Sequence, residues 1–496
     1  MGCCSTKSKS NKKLSQEFVK RKTRKEYVIK QSNFVVLIHK KITEDYELLS
    51  TLGQGGFGEV KLGKNKTTNQ ERAIKTILLE SSKSTNIEKL IEEVNILKKL
   101  DHPNIVKVFE VYQDDLYLNI VMELCTGREL FNKIRKSRSF SENQAAKYMF
   151  EIVSAVKYCH ASGIVHRDLK PENILLENKS PDAKLKLIDF GTSHFLKPHS
   201  KLSKMIGTSY YMAPEVISGS YDMQCDVWSL GIILYIMLSG LPPFYAKDEK
   251  SLYKKIRNKP VSFKKPVWSN VSKEAKELIR WMLNKSPAYR PKITDILDHE
   301  WIKTRMNNSV PDISLASESL SNLKLFNVHN KLQKATMTFI VSQIATNTEL
   351  RVLREVFLAL DVNKDGTLSK GELINGLSKF SQTESMNANE LMQKCDIDQN
   401  GLISYTEFLT AATNWKTALN KDKLYKAFQA FDMDRNGKIS LEELWQRLGG
   451  DEYNYGDFTK MLKAADVNGD GEIDFEEFTG VMIRQLESDE EEPNQI

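Results

Sequence analysis

A twelve-residue acidic loop occurs four times in the second half of the chain, at intervals of about 35 residues, and nothing else in the sequence constrains the fold as strongly. The loops begin at Asp361, Asp396, Asp432 and Asp466. Each has Gly at its sixth position and Glu at its twelfth, which suits a sharp turn followed by a bidentate carboxylate. A repeat of this length indicates stacked helix–loop–helix units. The sequence therefore predicts an all-helical domain that binds Ca²⁺ through oxygen ligands.

The loops match the EF-hand pattern position by position. Positions one, three, five, seven and twelve supply the candidate ligands, position seven through its backbone carbonyl. In chain order they are Asp361, Asn363, Asp365, Thr367, Glu372; Asp396, Asp398, Asn400, Leu402, Glu407; Asp432, Asp434, Asn436, Lys438, Glu443; and Asp466, Asn468, Asp470, Glu472, Glu477. An acidic surface turn is the alternative for one such loop. The apolar eighth positions, Leu368, Ile403, Ile439 and Ile473, predict a short strand that pairs the loops.

A glycine-rich loop in the first half follows an apolar, strand-like segment, Tyr46 to Leu52. Glycines allow backbone N–H groups to approach phosphate oxygens, whereas a structural hairpin is the alternative. The candidate nucleotide-binding residues here are Leu52, Gly53, Gln54, Gly55, Gly56, Phe57, Gly58, Glu59 and Val60. One strand later, Lys75 can reach the phosphates if a carboxylate holds it. Glu93, in a segment of helical periodicity, is the candidate, and a surface ion pair is the alternative.

The most specific motif is the run His166 to Asn173, followed by Asp189-Phe190-Gly191 and Ala213-Pro214-Glu215. Phosphoryl transfer depends on positioning and on electrostatic stabilisation. Asp168 is predicted to accept the proton of the substrate hydroxyl, and Lys170 to offset charge on the transferring phosphate. Asn173 and Asp189 are predicted to hold Mg²⁺. Taken singly, each acid is as well explained as a loop residue or a helix cap, but the order and spacing disfavour that reading.

Residues 46–302 resemble a eukaryotic protein kinase domain. Lys170, together with Thr208, is similar to the serine/threonine class, in which that Thr bonds the catalytic Asp and Lys. The resemblance further implies that Glu215 and Arg290 form a buried ion pair, and that Glu129 and Glu172 favour basic residues upstream of the phosphorylated site. It places further ATP contacts at Ala73, Met122, Glu123, Cys125 and Glu129, with Met122 as gatekeeper and Glu123 and Cys125 in the hinge.

The segment between the two halves carries a basic amphipathic pattern. Leu325, Val328, Leu332, Ala335 and Phe339 recur at steps of three and four residues, with Lys324, Lys331 and Lys334 among them. This pattern predicts a helix of the type that calmodulin binds, with an ordinary packing helix as the alternative. The order of kinase, junction and four loops resembles the calcium-dependent protein kinases. The resemblance implies that the junction inhibits the kinase until calcium-loaded EF-hands capture it.

Charge is distributed unevenly along the 496 residues. The net charge is +7, yet residues 346–496 contain 29 acidic and 16 basic residues. An acidic sensor would attract a basic junction and kinase. The basic half lacks the aromatic interleaving and the motifs of nucleic-acid binders, so no nucleic acid is expected as partner. The six cysteines show neither zinc spacing nor a disulfide framework, which fits a reducing cytosol.

The N-terminus fits a lipid anchor. Gly2 fits the N-myristoylation pattern, Cys3 and Cys4 can take palmitate, and nine Lys and Arg residues follow by position 25. Stable anchoring requires two signals, and both are present. A disordered basic tail is the alternative. No signal peptide is seen, and the longest apolar run, near Val227 to Leu238, is too short to span a bilayer. The predicted location is the cytosolic face of a membrane.

These observations predict an α+β protein: a two-lobed kinase fold followed by an all-α calmodulin-like domain of two paired EF-hand lobes. The predicted divisions are a basic tail (1–45), a kinase domain (46–302), a junction (303–345), a calmodulin-like domain (346–486) and an acidic tail (487–496). The predicted function is a monomeric, calcium-activated serine/threonine kinase that uses ATP and Mg²⁺ and phosphorylates proteins. A calcium-regulated pseudokinase scaffold, and a kinase activated by separate calmodulin, are the alternatives; intact Lys75, Asp168, Asn173 and Asp189 argue against the first.

Overall fold

The computed structural model describes residues 25–55, 58–79, 84–306, 313–328, 330–380, 388–450 and 453–487. In these ranges the chain forms a sheet-rich lobe, a mainly helical lobe and a second helical domain with short paired strands. The α+β fold class predicted from the sequence is therefore confirmed. Gly2, Cys3, Cys4, Gly56 and Phe57 lie outside the described residues.

The first lobe is built on a six-stranded sheet in the order β1-β5-β6-β4-β3-β2, in which only β1 runs parallel to its neighbour. The sheet is packed against one long helix, α1, which brings Glu93 to the inner side of the lobe. The elements are β1 (Leu37–Ile38), β2 (Tyr46–Gly55), β3 (Gly58–Asn65), β4 (Glu71–Leu78), α1 (Ser84–Lys99), β5 (Val108–Gln113) and β6 (Tyr117–Met122).

The second lobe is helical and is arranged around a fully buried helix, α5, which contains the apolar run near Val227 to Leu238. Its helices are α2 (Leu130–Ser137), α3 (Glu142–Ala161), α4 (Pro214–Ser218), α5 (Gln224–Ser239), α6 (Glu249–Asn258), α7 (Lys273–Met282), α8 (Ile293–Asp298) and α9 (Glu300–Met306). Its strands are β7 (Ile164–Val165), β8 (Ile174–Leu176), β9 (Leu185–Leu187) and β10 (His194–Phe195). No helix in the described ranges combines the length and apolarity needed to cross a membrane.

The ion pair expected between Glu215 and Arg290 is present and is buried. Arg290 donates from Nη1 to Glu215 Oε1 at 2.5 Å and from Nη2 to Oε2 at 2.7 Å. Two parallel charge-assisted bonds fix the orientation of both side chains. The pair ties α4, at the end of the activation segment, to the loop that precedes α8.

The calmodulin-like domain consists of helix pairs that flank the four loops. Its elements, including the junction, are α10 (Ile313–Leu325), α11 (Lys331–Phe339), α12 (Arg351–Leu360), β11 (Thr367–Leu368), α13 (Lys370–Phe380), α14 (Ala388–Cys395), β12 (Ile403–Ser404), α15 (Tyr405–Ala412), α16 (Trp415–Ala418), α17 (Lys421–Phe431), β13 (Lys438–Ile439), α18 (Leu441–Arg447), α19 (Tyr455–Ala465), β14 (Ile473–Asp474) and α20 (Phe475–Glu487). Leu368 pairs with Ile403, and Ile439 with Ile473, which confirms the predicted coupling of loops one and two and of loops three and four.

Residues 25–38, which belong to the predicted tail (1–45), contact both the kinase sheet and the calmodulin-like domain. Leu37 and Ile38 form β1, the strand that extends the kinase sheet beside β5. Tyr27, Ile29 and Phe34 are buried in the core of the calmodulin-like domain. The tail was predicted from the basic composition of residues 7–25. A count of charged residues does not identify three separate apolar side chains whose contacts lie far along the chain.

Candidate functional site

The side chain of Asp168 is fixed by four groups at the base of the cleft. Lys170 Nζ donates to Asp168 Oδ2 at 2.7 Å, and the hydroxyl of Thr208 donates to Oδ1 at 2.7 Å. The backbone N–H of Thr208 also donates to Oδ1, at 2.9 Å. Asn173 Nδ2 donates to Asp168 Oδ2 at 3.3 Å and to the backbone carbonyl of Asp168 at 2.9 Å. A carboxylate held in this way is positioned to accept a proton from a bound hydroxyl.

Two neighbouring side chains suit a divalent cation. The amide nitrogen of Asn173 is used by Asp168, which leaves its carbonyl oxygen for a metal ion. Asp189 follows the buried strand β9 and adopts a left-handed backbone conformation with φ of 62°. The ring of Phe190, next in the chain, is buried against His166 with ring centroids 4.9 Å apart. These oxygen donors are the type that hard cations prefer.

Lys75 joins the two lobes through carboxylates. Its Nζ lies 2.7 Å from Glu93 Oε1 and 3.4 Å from Asp189 Oδ1. Burial lowers the pKa of Lys75, but the nearby charges of Glu93 and Asp189 outweigh that effect, and the pKa is raised overall. Lys75 therefore stays charged beside the site of the phosphates. The neighbouring acid, Glu92, is used elsewhere, since it pairs with His194 at 2.5 Å.

The glycine-rich strands and the hinge frame the nucleotide side of the cleft. Gly53 pairs with Val60, Gln54 with Glu59 and Gly55 with Gly58, so the described part of the glycine-rich segment lies on two antiparallel strands. Leu52 is exposed, and Glu59 accepts a hydrogen bond from Thr51. Gly58 has φ of 140°, and a side chain there would meet the carbonyl of Thr76.

Met122 and the hinge residue Glu123 have different surroundings. Met122 pairs with Ala73 across β6 and β4, as a gatekeeper beside the cleft requires. The carboxylate of Glu123 instead faces away from the cleft: it accepts from Lys186 at 2.9 Å and from Asn347 at 2.8 Å. The backbone N–H of Glu123 donates to the carbonyl of Lys107, which leaves the Glu123 carbonyl for a nucleotide. Burial raises the pKa of Cys125, so this hinge thiol is protonated at neutral pH.

Two acids near the catalytic loop, Glu129 and Glu172, interact electrostatically. Glu129 precedes α2 and accepts from Asn132 at 3.0 Å. Glu172 is half-buried, and its Oε2 has no hydrogen-bond partner among the described residues. Burial is the main cause that raises the pKa of Glu172, with Glu129 contributing. A cationic side chain placed between them would reverse that effect.

The EF-hand loops have the geometry of cation sites. Carboxylate oxygens of Asp396, Asp398 and Glu407 lie within 4.8 Å of one another, and so do those of Asp432, Asp434 and Glu443. In each of the four loops the sixth-position glycine donates its N–H to the first-position Asp, at 2.8–3.0 Å. Burial raises the pKa of Asp361 to about 6 and that of Glu407 to about 7. Clustered, desolvated carboxylates of this kind fit Ca²⁺, whose charge offsets their repulsion.

The remaining predicted ligands take the positions that the pattern assigns. One Asn side chain in each loop accepts a hydrogen bond from a backbone N–H of the same loop; these residues are Asn363, Asn400, Asn436 and Asn468. In each loop the backbone N–H of the third-position residue donates to the carboxylate of the twelfth-position Glu. Asp470 is bonded to Lys438 of loop three at 2.7 Å. Thr367, Leu402, Lys438 and Glu472, which offer backbone carbonyls, each donate an N–H to the fifth-position side chain.

The second half of the junction, from Leu332 to Ile344, is mostly buried in the calmodulin-like domain. Leu332, Ala335 and Phe339 are at most 2% exposed and lie in one core with the EF-hand helices. The prediction of one continuous helix from Leu325 to Phe339 is wrong. Helix α10 ends at Leu325, which is 68% exposed, and α11 begins again at Lys331.

The break between the two helices has a local cause. The side chain of Asn330 accepts from the N–H groups of Leu332 and Gln333, which caps α11 at its N-terminus. An Asn at this position stabilises a helix start and competes with a continuing helix. The apolar spacing from Val328 onward does meet the core, as expected, and helix α11 runs on into a π-helical turn, Ile340–Ile344.

The calmodulin-like domain is docked on the kinase through a buried interface. Arg354 of α12 donates from Nη1 to both carboxylate oxygens of Glu177, at 3.0 and 3.1 Å, and both side chains are about 5% exposed. Thr406 donates its backbone N–H and its hydroxyl to Asp101, each at 2.8 Å. In these contacts the sensor supplies the donor and the kinase supplies the carboxylate, which is the reverse of the attraction that net charge predicts between an acidic sensor and a basic kinase.

Loop one lies directly against the kinase. A side-chain carbon added at Gly366 would approach His102 and Tyr158 to 2.7 Å, whereas the glycines at the same position of the other three loops have open space. Lys157 also donates to the carbonyl of Asn363. The first calcium loop thus forms part of the domain interface.

Sequence reasoning missed the residues of this interface. Asn347, Arg354 and Thr406 carry no motif, since each lies at an ordinary position of an EF-hand helix or its flank. Arg354 offered one signal: it lies among the apolar residues of α12, a helix that also carries Arg351 and Glu355, and an arginine requires a partner if it is buried. Its partner Glu177 is 177 residues away, and no local pattern connects them.

Comparison with family models assigns both halves of the chain. Residues 46–302 match the protein kinase domain. Residues 350–413 and 421–483 each match an EF-hand domain pair.

Comparison with whole proteins gives relatives that combine both halves. The chain is 39% identical over 491 residues to calcium-dependent protein kinase 4 of Plasmodium falciparum. The aligned region covers 96% of this chain and 92% of that protein. It is 38% identical over 451 residues to calcium-dependent protein kinase 21 of Arabidopsis thaliana, covering 89% and 83%.

Proposed function

The chain belongs to the calcium-dependent protein kinase family, and from this we propose that Ca²⁺ switches its activity by moving the junction between two positions. The predicted calcium-regulated serine/threonine protein kinase is confirmed by the family, as is the use of ATP, a divalent metal ion and Ca²⁺. Nothing favours a pseudokinase. In the proposed cycle, the calcium-free junction inhibits the kinase, and the loaded EF-hand lobes remove it.

The observation that carries this proposal is the coexistence of two features in one structure. The catalytic groups are assembled, with Lys75 bonded to Glu93 and Asp168 held by Thr208. At the same time, the second half of the junction is enclosed by EF-hand helices, where Gln333 donates to the carbonyl of Met482. We call this the captured arrangement. An EF-hand groove binds an amphipathic helix only after calcium opens it, so calcium and capture are thermodynamically linked.

Mg²⁺ is the metal that we propose for the kinase site. It would be held by Asn173 and Asp189 together with phosphate oxygens, because Mg²⁺ is usually bound through one or two protein ligands plus phosphates. The test is an assay of the purified full chain with ATP and a basic Ser/Thr peptide, with and without Mg²⁺ and Ca²⁺ in turn. Activity that needs both ions supports the proposal. Activity that needs neither would refute it.

We further propose that the substrate has basic residues upstream of its Ser or Thr. Glu172, with one buried carboxylate oxygen unpaired among the described residues, would gain a charge-assisted partner from such a residue. Glu172→Gln should lower kcat/KM for a peptide with upstream Arg by about tenfold, and should change that for an Ala-substituted peptide little. The two peptides are compared on wild type, Glu172→Gln and the surface control Asp182→Asn. Equal losses on both peptides would contradict the proposal.

Membrane attachment through Gly2, Cys3 and Cys4 is our proposal for location, on the cytosolic face, with the protein itself monomeric. One acyl chain gives only marginal binding, so the second chain and the basic residues add to it. Gly2→Ala should shift the protein from the membrane to the soluble fraction, and Cys3→Ser with Cys4→Ser should shift it in part. Retention of the Gly2→Ala protein on membranes would exclude acylation as the anchor. Light scattering of the soluble variant reports the oligomeric state.

Activation-loop phosphorylation is a separate hypothesis, based on Arg167. Its guanidinium donates to the carbonyls of Thr192 and Ser193, and no acidic residue occurs between Thr192 and Glu215. Tyr221 lies beside Arg167 and donates its hydroxyl to the carbonyl of Lys204, so Tyr221 connects the guanidinium to the segment that carries Ser203. A phosphate on Ser203 would supply the missing anion.

The hypothesis predicts that activity depends on Ser203 or, failing that, on Ser200. The double variant Ser203→Ala and Ser200→Ala should lose roughly tenfold in kcat with calcium bound, since a charge-assisted contact is removed. Phosphopeptide mapping after incubation with ATP identifies the modified residue. The exposed Ser269→Ala variant is the control. If calcium alone orders the loop, the double variant keeps full activity and the hypothesis fails.

A further inference from the structure

A short segment before the kinase domain connects three separate hydrophobic cores. Tyr27, Ile29 and Phe34 lie in the core of the calmodulin-like domain, Val35 in the main kinase core, and Ile38 in a small core on the N-terminal sheet. We define residues 25–38 as the N-terminal strap. We propose that the strap is the ligand of a socket in the second EF-hand lobe, and that this contact stabilises the captured arrangement. The inference rests on the calcium-dependent capture proposed above.

The socket binds both the ring and the backbone of the strap. Tyr27 is 2% exposed, and its ring centroid lies 5.1 Å from that of Tyr453 and 4.9 Å from that of Phe458. The N–H of Tyr27 donates to Asp457 Oδ2 at 2.8 Å, and the N–H of Asn454 donates to the Lys25 carbonyl at 2.9 Å. An aromatic pocket combined with main-chain bonds is a common way for a domain to bind an extended peptide.

The middle of the strap lies along the junction. The ring of Phe34 is fully buried 5.5 Å from that of Phe339, edge to face. Lys331, at the start of α11, lies 3.2 Å from Glu26. The strap therefore covers part of the captured helix, and the contact at Phe34 exists only while α11 occupies this position.

The other end of the strap is anchored to the kinase. Leu37 and Ile38 pair with Val111 and Tyr112 of the N-terminal sheet. A segment fixed at one end can reach the socket only if the second EF-hand lobe is docked beside that sheet. Arg447 of this lobe, at 3.1 Å from Glu110 of β5, holds it there. The burial of Tyr27 thus adds stability to the captured arrangement and not to arrangements in which the lobe has moved.

The socket is joined directly to a calcium loop. Asp457 and Phe458 belong to α19, and α19 ends at Ala465, next to Asp466, the first ligand of loop four. Lys30 of the strap lies 3.0 Å from Asp398 of loop two, and because this ion pair opposes calcium at that loop, the favourable coupling acts through the socket and loop four. Because coupling between two binding events is reciprocal, a strap that favours capture raises the apparent affinity for calcium.

The test measures calcium activation of the full chain. We take the coupling between strap binding and calcium binding to be about 30-fold. Because four calcium ions share this coupling, it shifts the calcium concentration at half-maximal activation by about two- to threefold. We expect Tyr27→Ala to raise the midpoint by this amount, with activity regained at saturating calcium, and Tyr27→Phe, which keeps the ring, to restore the wild-type midpoint. Asp457→Ala is a second variant that removes the backbone contact from the other side, and the exposed Lys41→Ala is the matched control.

Hydrogen–deuterium exchange provides a readout that does not depend on activity. In wild type, amides of residues 26–35 should exchange slowly with calcium and quickly without it, and Tyr27→Ala should remove most of that protection at a calcium level near the midpoint. Equal midpoints for wild type, Tyr27→Ala and Asp457→Ala would overturn the proposal, and so would protection that is the same with and without calcium. A wild-type chain with no response to calcium at all would instead refute the capture on which the proposal rests.

Discussion

We expect the Asp168→Asn variant to lose about 10³-fold or more in kcat. Asp168 is held by Lys170, Asn173 and Thr208 so that one carboxylate oxygen can accept the proton of the attacking hydroxyl, and an amide cannot take that proton. The change is nearly isosteric, so the hydrogen bonds from Thr208 can persist. Single-turnover phosphorylation of a Ser/Thr peptide, measured with calcium present, checks the expectation.

Two controls isolate the chemical step in that experiment. ATP affinity of Asp168→Asn should remain within about twofold of wild type, because Lys75 and Glu93 are untouched. The Asp182→Asn variant changes an exposed acid of the same lobe and should retain full activity. A loss of less than tenfold for Asp168→Asn would mean that this carboxylate is not the base.

The second large effect concerns the calcium switch. Chelating calcium should lower the activity of the full chain by about 100-fold, if the captured arrangement falls from nearly all molecules to about 1%. A shortened chain that ends at Met306, the last residue of α9, lacks the junction and the sensor. It should show the same activity with and without calcium, because nothing remains to block the cleft.

We expect the docked calmodulin-like domain to raise the activity of the full chain with calcium above that of the shortened chain. The calmodulin-like domain supports the hinge through Asn347 and Glu123 and the lobe below it through Arg354 and Glu177. We therefore expect the shortened chain to be more active than the full chain without calcium and less active than the full chain with calcium. Initial rates of the two chains, at matched ATP and peptide, give the comparison. Equally low activity of both chains under both conditions would contradict inhibition by the junction.

The catalytic and calcium residues were predictable from the sequence, because their chemistry fixes both residue type and spacing. Asp168, Asn173 and Asp189 follow a strict order, and each EF-hand loop repeats its ligands at fixed positions. The short strands that pair the loops followed from a single apolar position, such as Leu368 opposite Ile403. In these cases, local sequence determines local geometry, and the site follows.

The contacts between distant segments could not be predicted in the same way. The periodicity from Val328 to Phe339 identified the buried face of the junction, but Asn330 capped a new helix where a continuous one was expected. Tyr27 is paired with Tyr453, which is 426 positions away along the chain, and a basic tail gave no reason to expect this contact. Such pairs depend on how whole domains dock, which no window of sequence contains.

The packing of loop one against the kinase has a consequence for how the protein can change over generations. Gly366 must satisfy the turn of a calcium loop and also fit against His102 and Tyr158, whereas Gly471 of loop four has open space around it. A side chain at Gly471 would therefore meet no residue of the kinase. Loop one is different, because a side chain at Gly366 would require a compensating change on α3, the kinase helix that carries Tyr158. Among the four repeats, the first should therefore diverge in step with the catalytic domain.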